Sequence, residues 1–257
     1  MSDDFLVRLF GLHGKKAIVT GGAAGLGKAM VEALSRAGAE VAVIDLSAQS
    51  PVHDEEELSG RPNVHSISAD LGSRQELGLS FERAVSLLGG IDILINSAGT
   101  QARHKSEEFP LDDWDKVIEV NLTAVFELCQ LAGRLMLNRG AGKIINVASM
   151  LSFSGGLTVP AYAASKGGVA QLTKTLANEW GGRGVNVNAL APGWMATALT
   201  SALVGNPDRE PDILKRITAG RWGQPADIQG AAVFLASEAS DYLHGVILPV
   251  DGGYLAR

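Results

Sequence analysis

A tyrosine and a lysine stand four residues apart in the run Val159-Pro160-Ala161-Tyr162-Ala163-Ala164-Ser165-Lys166. Helical periodicity extends from Ala161 to Trp180, and on a helix that spacing brings both side chains to one face, with the ammonium beneath the phenol. A free phenol titrates near ~10. A fixed cation beside it favours the phenolate, so the expected chemistry is proton transfer by Tyr162 near neutrality, with Lys166 lowering the phenol pKa. Ser149, which closes an apolar run upstream, and Asn121, in Glu119-Val120-Asn121-Leu122-Thr123, are further polar candidates. Asparagine disfavours a helix interior relative to alanine, so Asn121 needs a local compensation.

A second constellation lies near the start. Thr20-Gly21-Gly22-Ala23-Ala24-Gly25-Leu26-Gly27 follows the apolar run Lys16 to Thr20 and opens the helical stretch Leu26 to Ala37. Residues without Cβ let a backbone approach a pyrophosphate, whose charge then sits at the helix N-terminus. Asp45 closes the next apolar run, where a carboxylate accepts hydrogen bonds from adenosine ribose hydroxyls and repels a 2′-phosphate. Neither Ala24 nor Leu46 supplies a cation to offset it, so NAD is expected in preference to NADP. Asp70-Leu71 and Asn96-Ser97-Ala98-Gly99 fall at the carboxyl ends of the third and fourth runs, the edge at which open parallel sheets bind ligands.

Placing these residues requires an alternating frame. Apolar runs at 16–20, 40–44, 64–67, 91–95, 143–147, 185–190 and 246–250 are mostly aliphatic on both faces, as strands buried between two helical layers must be. Amphipathic stretches lie between them at 26–37, 74–88, 114–139, 161–180 and 226–236. The expected class is α/β: a doubly wound parallel sheet of about seven strands with helices on both faces, in a single domain spanning 1–257. Gln49 to Pro62, with the acidic run Asp54 to Glu57, reads as a loop. A second irregular region around 191–215, holding Pro192, Gly193, Gly205, Pro207 and Pro211, reads as a substrate loop.

Composition excludes several function classes. The net charge of −6 without a Lys/Arg cluster argues against nucleic acid or an acidic membrane surface and for a small-molecule ligand. Cys129, the only cysteine, sits in an apolar helical pattern and is expected in the core; no metal site is expected. The acidic start and the lack of an uncharged apolar stretch of ~18 residues lead to the expectation of a cytoplasmic protein.

Over its whole length the chain resembles the short-chain dehydrogenase/reductases. The matching residues are Thr20-Gly21-x-x-x-Gly25-x-Gly27, Asp70-Leu71, Asn96-x-Ala98-Gly99, Asn121, Ser149, Tyr162-x-x-x-Lys166 and Pro192-Gly193-x-x-x-Thr197. The resemblance implies a Rossmann-type fold and hydride transfer between a nicotinamide cofactor and a carbinol. Tyr162 would be the acid/base and Ser149 would hydrogen-bond the reacting oxygen. Lys166 would also hold the nicotinamide ribose, and Asn121 would anchor a relay water. Pro192 to Thr197 would embrace the nicotinamide end, with the Met195 backbone on the carboxamide and Thr197 near the phosphates. Ser97 departs from the family's usual second asparagine.

A narrower similarity, carried by Ile145 to Phe153, Val159 to Tyr162, Ala177 to Trp180, Ala219 to Gly223 and Asp251 to Arg257, is to the branch acting on sugar acids of the 2-keto-3-deoxygluconate, 2-deoxygluconate or gluconate type. It implies Arg103 as the cation for the carboxylate, although Ala102-Arg103-His104-Lys105 lacks the two adjacent arginines of that branch. Met150 and Trp194 would line the pocket. Assembly into a homotetramer, through the long helices and Val246 to Tyr254, is a further implication. The alternatives are a reductase of another carbonyl class, such as 3-oxoacyl thioesters or polyols, and a dinucleotide-binding protein without activity.

Overall fold

The frame is a seven-stranded, all-parallel sheet in a computed structural model that describes residues 3–47 and 63–257. Its strands are β1 (Lys16–Thr20), β2 (Glu40–Asp45), β3 (Val64–Ser68), β4 (Ile93–Asn96), β5 (Gly142–Val147), β6 (Val185–Pro192) and β7 (Ile247–Val250). They lie in the order β3-β2-β1-β4-β5-β6-β7. The order reverses between β1 and β4, where Thr20 is in register with Asn96, and a crevice opens beyond the carboxyl ends of these two strands.

Alternation along each strand feeds two cores. Ile18, Ile44, Leu94, Ile144 and Val187 face α3 (Arg74–Leu88), α5 (Ala124–Arg139) and α6 (Pro160–Trp180). Ala17, Val19, Val43, Ile95 and Leu190 face α2 (Gly25–Arg36) and α8 (Gln229–Ala236). Both faces are covered, which explains why the runs are aliphatic throughout. A short α1 (Asp3–Phe10) precedes the sheet.

Two expected elements differ in detail. The stretch read as one helix from 114 consists of α4 (Leu111–Ile118), a π-helical turn at Glu119–Thr123, and α5. That run is long and apolar enough to span a membrane, yet Leu128, Cys129, Ala132 and Met136 on it belong to the buried core. The region read as an irregular loop holds a 3₁₀ turn at Ala198–Thr200 and α7 (Glu210–Arg216), where Pro211 is tolerated because it lies in the first turn. The loop expected at Gln49 to Pro62 lies outside the described residues.

Candidate active site

The glycine turn is dictated first by packing. At Gly21, φ is +66°, and a Cβ there would stand 2.6 Å from the Ala98 Cα, so the chain leaving β1 passes almost against the chain leaving β4. Thr20 strengthens the approach, its Oγ1 accepting from Ser97 N at 3.1 Å and Ala98 N at 3.2 Å. Gly27 brings α2 down on the turn: its Cβ would fall 1.9 Å from the Gly21 carbonyl oxygen. Gly25 is different. With φ at +54°, its Cβ would meet only Thr197, at 3.8 Å, so its missing side chain leaves a cradle facing open space. Ala24, the N-cap of α2, gives no side-chain cap, and the first turn, which includes Leu26, holds no acid. The orphan N–H groups of that turn therefore suit a pyrophosphate.

Asp45 Oδ2 accepts from Ala23 N at 3.0 Å, while Oδ1 takes Ser47 N and Oγ at 3.1 and 3.0 Å. The carboxylate is thus pinned at the rim beside exposed Leu46. Asp70 accepts from Gly72 N at 2.8 Å in a tight turn, with Leu71 buried behind it. Asn96 turns its side-chain amide inward. Its amide donates to Asn146 Oδ1 at 2.9 Å and to Cys129 Sγ at 3.3 Å, inside the core, so the side chain does not serve the crevice. Cys129 is inert there, its thiol pushed up to about 12 by burial.

At the other side of the crevice, α6 carries Tyr162, Ser165 and Lys166. The phenol hydrogen-bonds with Ser149, which follows β5. Its pKa is raised, because burial outweighs the opposing pull of Ser149 and of the Arg103 charge. Lys166 Nζ donates to the Val147 carbonyl at 2.6 Å and lies 5.7 Å from the Tyr162 ring centroid; burial takes its pKa down to about 8. Arg103, which the sugar-acid resemblance assigned to the substrate carboxylate, is a cation that acts on the phenol and favours its deprotonation.

Asn121 finds its compensation in the π turn. Its Oδ1 accepts from Thr100 N at 2.8 Å, and its Nδ2 donates to Thr100 O at 2.9 Å and to Ser165 Oγ at 3.2 Å. Ser165 Oγ in turn donates to the Tyr162 carbonyl at 2.8 Å. The fully buried amide therefore ties the segment after Gly99 to the turn of α6 that presents the phenol.

Ser149, Met150, Tyr162, Pro192, Gly193, Trp194, Met195, Thr197 and Arg103 all line one cavity of about 440 Å³. Sequence reasoning missed Arg209, the N-cap of α7, Arg216 at its end and Tyr254 near the carboxyl end, which line it too. Only the Pro/Gly-rich irregularity of the 191–215 region hinted at the first of them. Trp194 packs edge-on against Trp222 and Tyr254, at centroid distances of 5.7 and 6.5 Å. Trp222 Nε1 donates to Glu210 Oε1 at 2.7 Å, which seats α7 over the opening.

Known proteins share this arrangement. A family profile described as enoyl-(acyl carrier protein) reductase matches residues 21–255. A 2-dehydro-3-deoxy-D-gluconate 5-dehydrogenase of Bacillus subtilis is 49% identical, over 98% of this chain and 99% of its own. Among solved structures, a candidate 2-deoxy-D-gluconate 3-dehydrogenase of Agrobacterium tumefaciens with bound NADP is 47% identical, with a TM-score of 0.90 over 97% of this chain and 100% of that one. A gluconate 5-dehydrogenase of Burkholderia cenocepacia, in complex with NADP and tartrate, is 36% identical, with a TM-score of 0.92 over 98% and 99%. Sheet order, glycine turn and near-full-length identity agree: the chain belongs to the short-chain dehydrogenase/reductase family and is an NAD(P)-dependent oxidoreductase of CH–OH groups.

Proposed function

We propose that this protein transfers hydride between a small sugar acid, of the 2-keto-3-deoxygluconate, 2-deoxygluconate or gluconate type, and NAD(H), with Tyr162 as the acid/base. The observation that carries the reading is the cavity itself, in which the Ser149–Tyr162 pair shares one space with three guanidinium groups, Arg103, Arg209 and Arg216. A polyol needs no such cations, and three of them on a pocket wall suit a carboxylate. The names of the similar proteins point the same way.

The nicotinamide dinucleotide supplies the hydride acceptor or donor. The Gly25 cradle and the α2 N-terminus hold its phosphates, and Asp45 its adenosine ribose. Asp70, Leu71, Ala98 and Gly99 border it, and the Pro192–Thr197 segment covers the nicotinamide end. Ser149 orients the substrate oxygen, and Tyr162 takes the hydroxyl proton in oxidation or returns it in reduction. Asn121 holds the Thr100 segment and anchors the relay water. Lys166 completes the proton path and holds the nicotinamide ribose. Exposed Leu111, Phe126 and Leu135 on the long helical run support assembly into a homotetramer.

Purified protein offered NAD with gluconate, 2-deoxygluconate and ketodeoxygluconate is expected to produce NADH on at least one of them, and to sediment as a tetramer. Activity on 3-oxoacyl thioesters or simple polyols, with none on the acids, would reject the reading.

The NAD preference rests on Asp45, whose negative charge stands where a 2′-phosphate would come and which has no cation on Ala24 or Leu46 to balance it. NADP in two related structures makes this a property to test on this chain. Asp45→Ser is expected to weaken NAD and improve NADP, shifting the kcat/KM ratio roughly 10- to 100-fold toward NADP, as the loss of charge-assisted hydrogen bonds implies. An unchanged ratio would remove Asp45 from cofactor selection.

A further inference from the structure

The three arginines of the cavity are not equivalent. Among the described residues none of them has a carboxylate partner, whereas Asp212, the one acid among the lining residues, is occupied by Lys215 at 3.1 Å. Arg103 lies close enough to the Tyr162 phenol to act on it electrostatically. Arg216 lies on α7, with its guanidinium 4.2 Å over the ring of Tyr254. Tyr254 is itself buried and packed edge-on against Trp194.

The support beneath Arg216 is built rather than incidental. Ile213 on α7 and Ile217, its C-cap, are buried in one cluster with Met150, Trp222 and Tyr254. The helix is pinned at one end by the Trp222–Glu210 bond and at the other by Arg257 Nη1, which donates to Lys215 O at 2.8 Å. A guanidinium stacked on an aromatic face keeps its N–H donors in its own plane, free for a bidentate carboxylate, and has already lost much of its rotamer freedom. The chemistry of the substrate separates the two sites. In an acyclic sugar acid oxidised away from its carboxyl end, several carbon–carbon bonds divide the carboxylate from the carbinol. A carboxylate seated on Arg103 would also bring an anion beside the phenol and cancel the charge that favours its deprotonation.

We propose that Arg216, stacked on Tyr254, receives the substrate carboxylate, and that Arg103 is left to act on the reacting end of the cavity. The assignment rests on the sugar-acid reading of the site. It makes α7 and the carboxyl-terminal turn, neither of which carries a proton-transfer residue, the elements that select acids over neutral polyols.

The test compares gluconate with its uncharged amide, each as substrate or as competing inhibitor, in holoenzyme carrying Arg216→Met, Arg216→Lys or Arg103→Met. Arg216→Met, whose stem still covers Tyr254, is expected to raise KM or Ki for the acid roughly 10- to 100-fold, the range for losing a charge-assisted hydrogen bond. It should leave the amide, kcat, the pH profile of kcat, NADH affinity and the urea midpoint unchanged. Arg216→Lys recovers part of the loss. Arg103→Met instead moves the pH profile of kcat upward. Equal effects of Arg216→Met on acid and amide, or an acid-selective loss confined to Arg103→Met, would overturn the assignment. If the unsubstituted enzyme acts on no sugar acid at all, the functional reading fails first, which is distinct from an active enzyme indifferent to Arg216.

Discussion

Tyr162→Phe is expected to lower turnover by roughly 10³-fold or more, within the reach of a lost general acid/base, while NADH titrated by fluorescence binds as it does to the unsubstituted protein. The substitution removes one oxygen and keeps the ring, so the packing of α6 is preserved. What disappears is the group that, in the proposed reaction, takes the substrate proton. The phenol is placed for that task by three independent supports: the hydrogen bond with Ser149, the Arg103 charge, and the Asn121–Ser165–Tyr162 carbonyl chain that fixes this turn of the helix. Burial opposes them by raising the phenol pKa, and the charge nearest in sequence is engaged with Val147. Activity of the free enzyme is therefore expected to rise toward alkaline pH in the oxidative direction, because deprotonation of the phenol is the costly event. Turnover of the phenylalanine variant within tenfold of the original would show that another group carries the proton.

The parts of this site that the sequence made legible are those the sheet itself delivers. Glycines after β1, Asp45 at the end of β2, Asp70 after β3 and Ser149 after β5 all stand at carboxyl ends of parallel strands, so finding the strands finds the edge on which these residues gather. Tyr162 and Lys166 were legible because helix geometry turns a four-residue spacing into one face. Other features depend on partners that leave no local trace. The acceptor of Lys166 is a main-chain carbonyl, which any residue at position 147 would offer. Asn96 reads as a crevice residue by its position at a strand end, yet the side chain points the other way, to Asn146 and Cys129. The π turn at Asn121 widens a helix whose periodicity still looks continuous. Arg209, Arg216 and Tyr254 are distant from the motifs and reach the cavity only because α7 and the carboxyl-terminal turn fold over it.

Lys166→Met is expected to cost at least ~100-fold in turnover and, at the same time, to change how stability follows pH. The first effect follows from position: the ammonium lies 5.7 Å from the Tyr162 ring centroid and 3.9 Å from where a Cβ of Gly99 would lie, within reach of both the phenol and the crevice in the proposed reaction. The second follows from burial, which lowers the ammonium pKa from 10.5 to about 8. Between these two values the unfolded chain binds a proton that the folded chain has released, so stability rises with pH across that window. Below about 8 both states are protonated, and the fold carries the whole penalty of the buried charge, about 3 kcal/mol. Cys129 acts in the opposite sense: its pKa goes from 9.0 unfolded to about 12 folded, so its contribution is intact below 9 and is lost as pH rises from there. Tyr162, also raised, adds to that loss above its unfolded value of 10.0. Together they place a shallow stability maximum between about pH 9 and 10. Urea unfolding from pH 7 to 10 is expected to show a gain of about 1 kcal/mol from pH 8 to 9 in the original protein and none in the methionine variant. At pH 7 the variant escapes the charge penalty but leaves the Val147 carbonyl without its donor, at about 1–3 kcal/mol, so its midpoint should stay close to the original despite the lost activity. A variant that unfolds much earlier at pH 7, or that keeps the alkaline gain, would show that Lys166 is neither the buried titrating cation nor a group held at a cost in stability for the reaction.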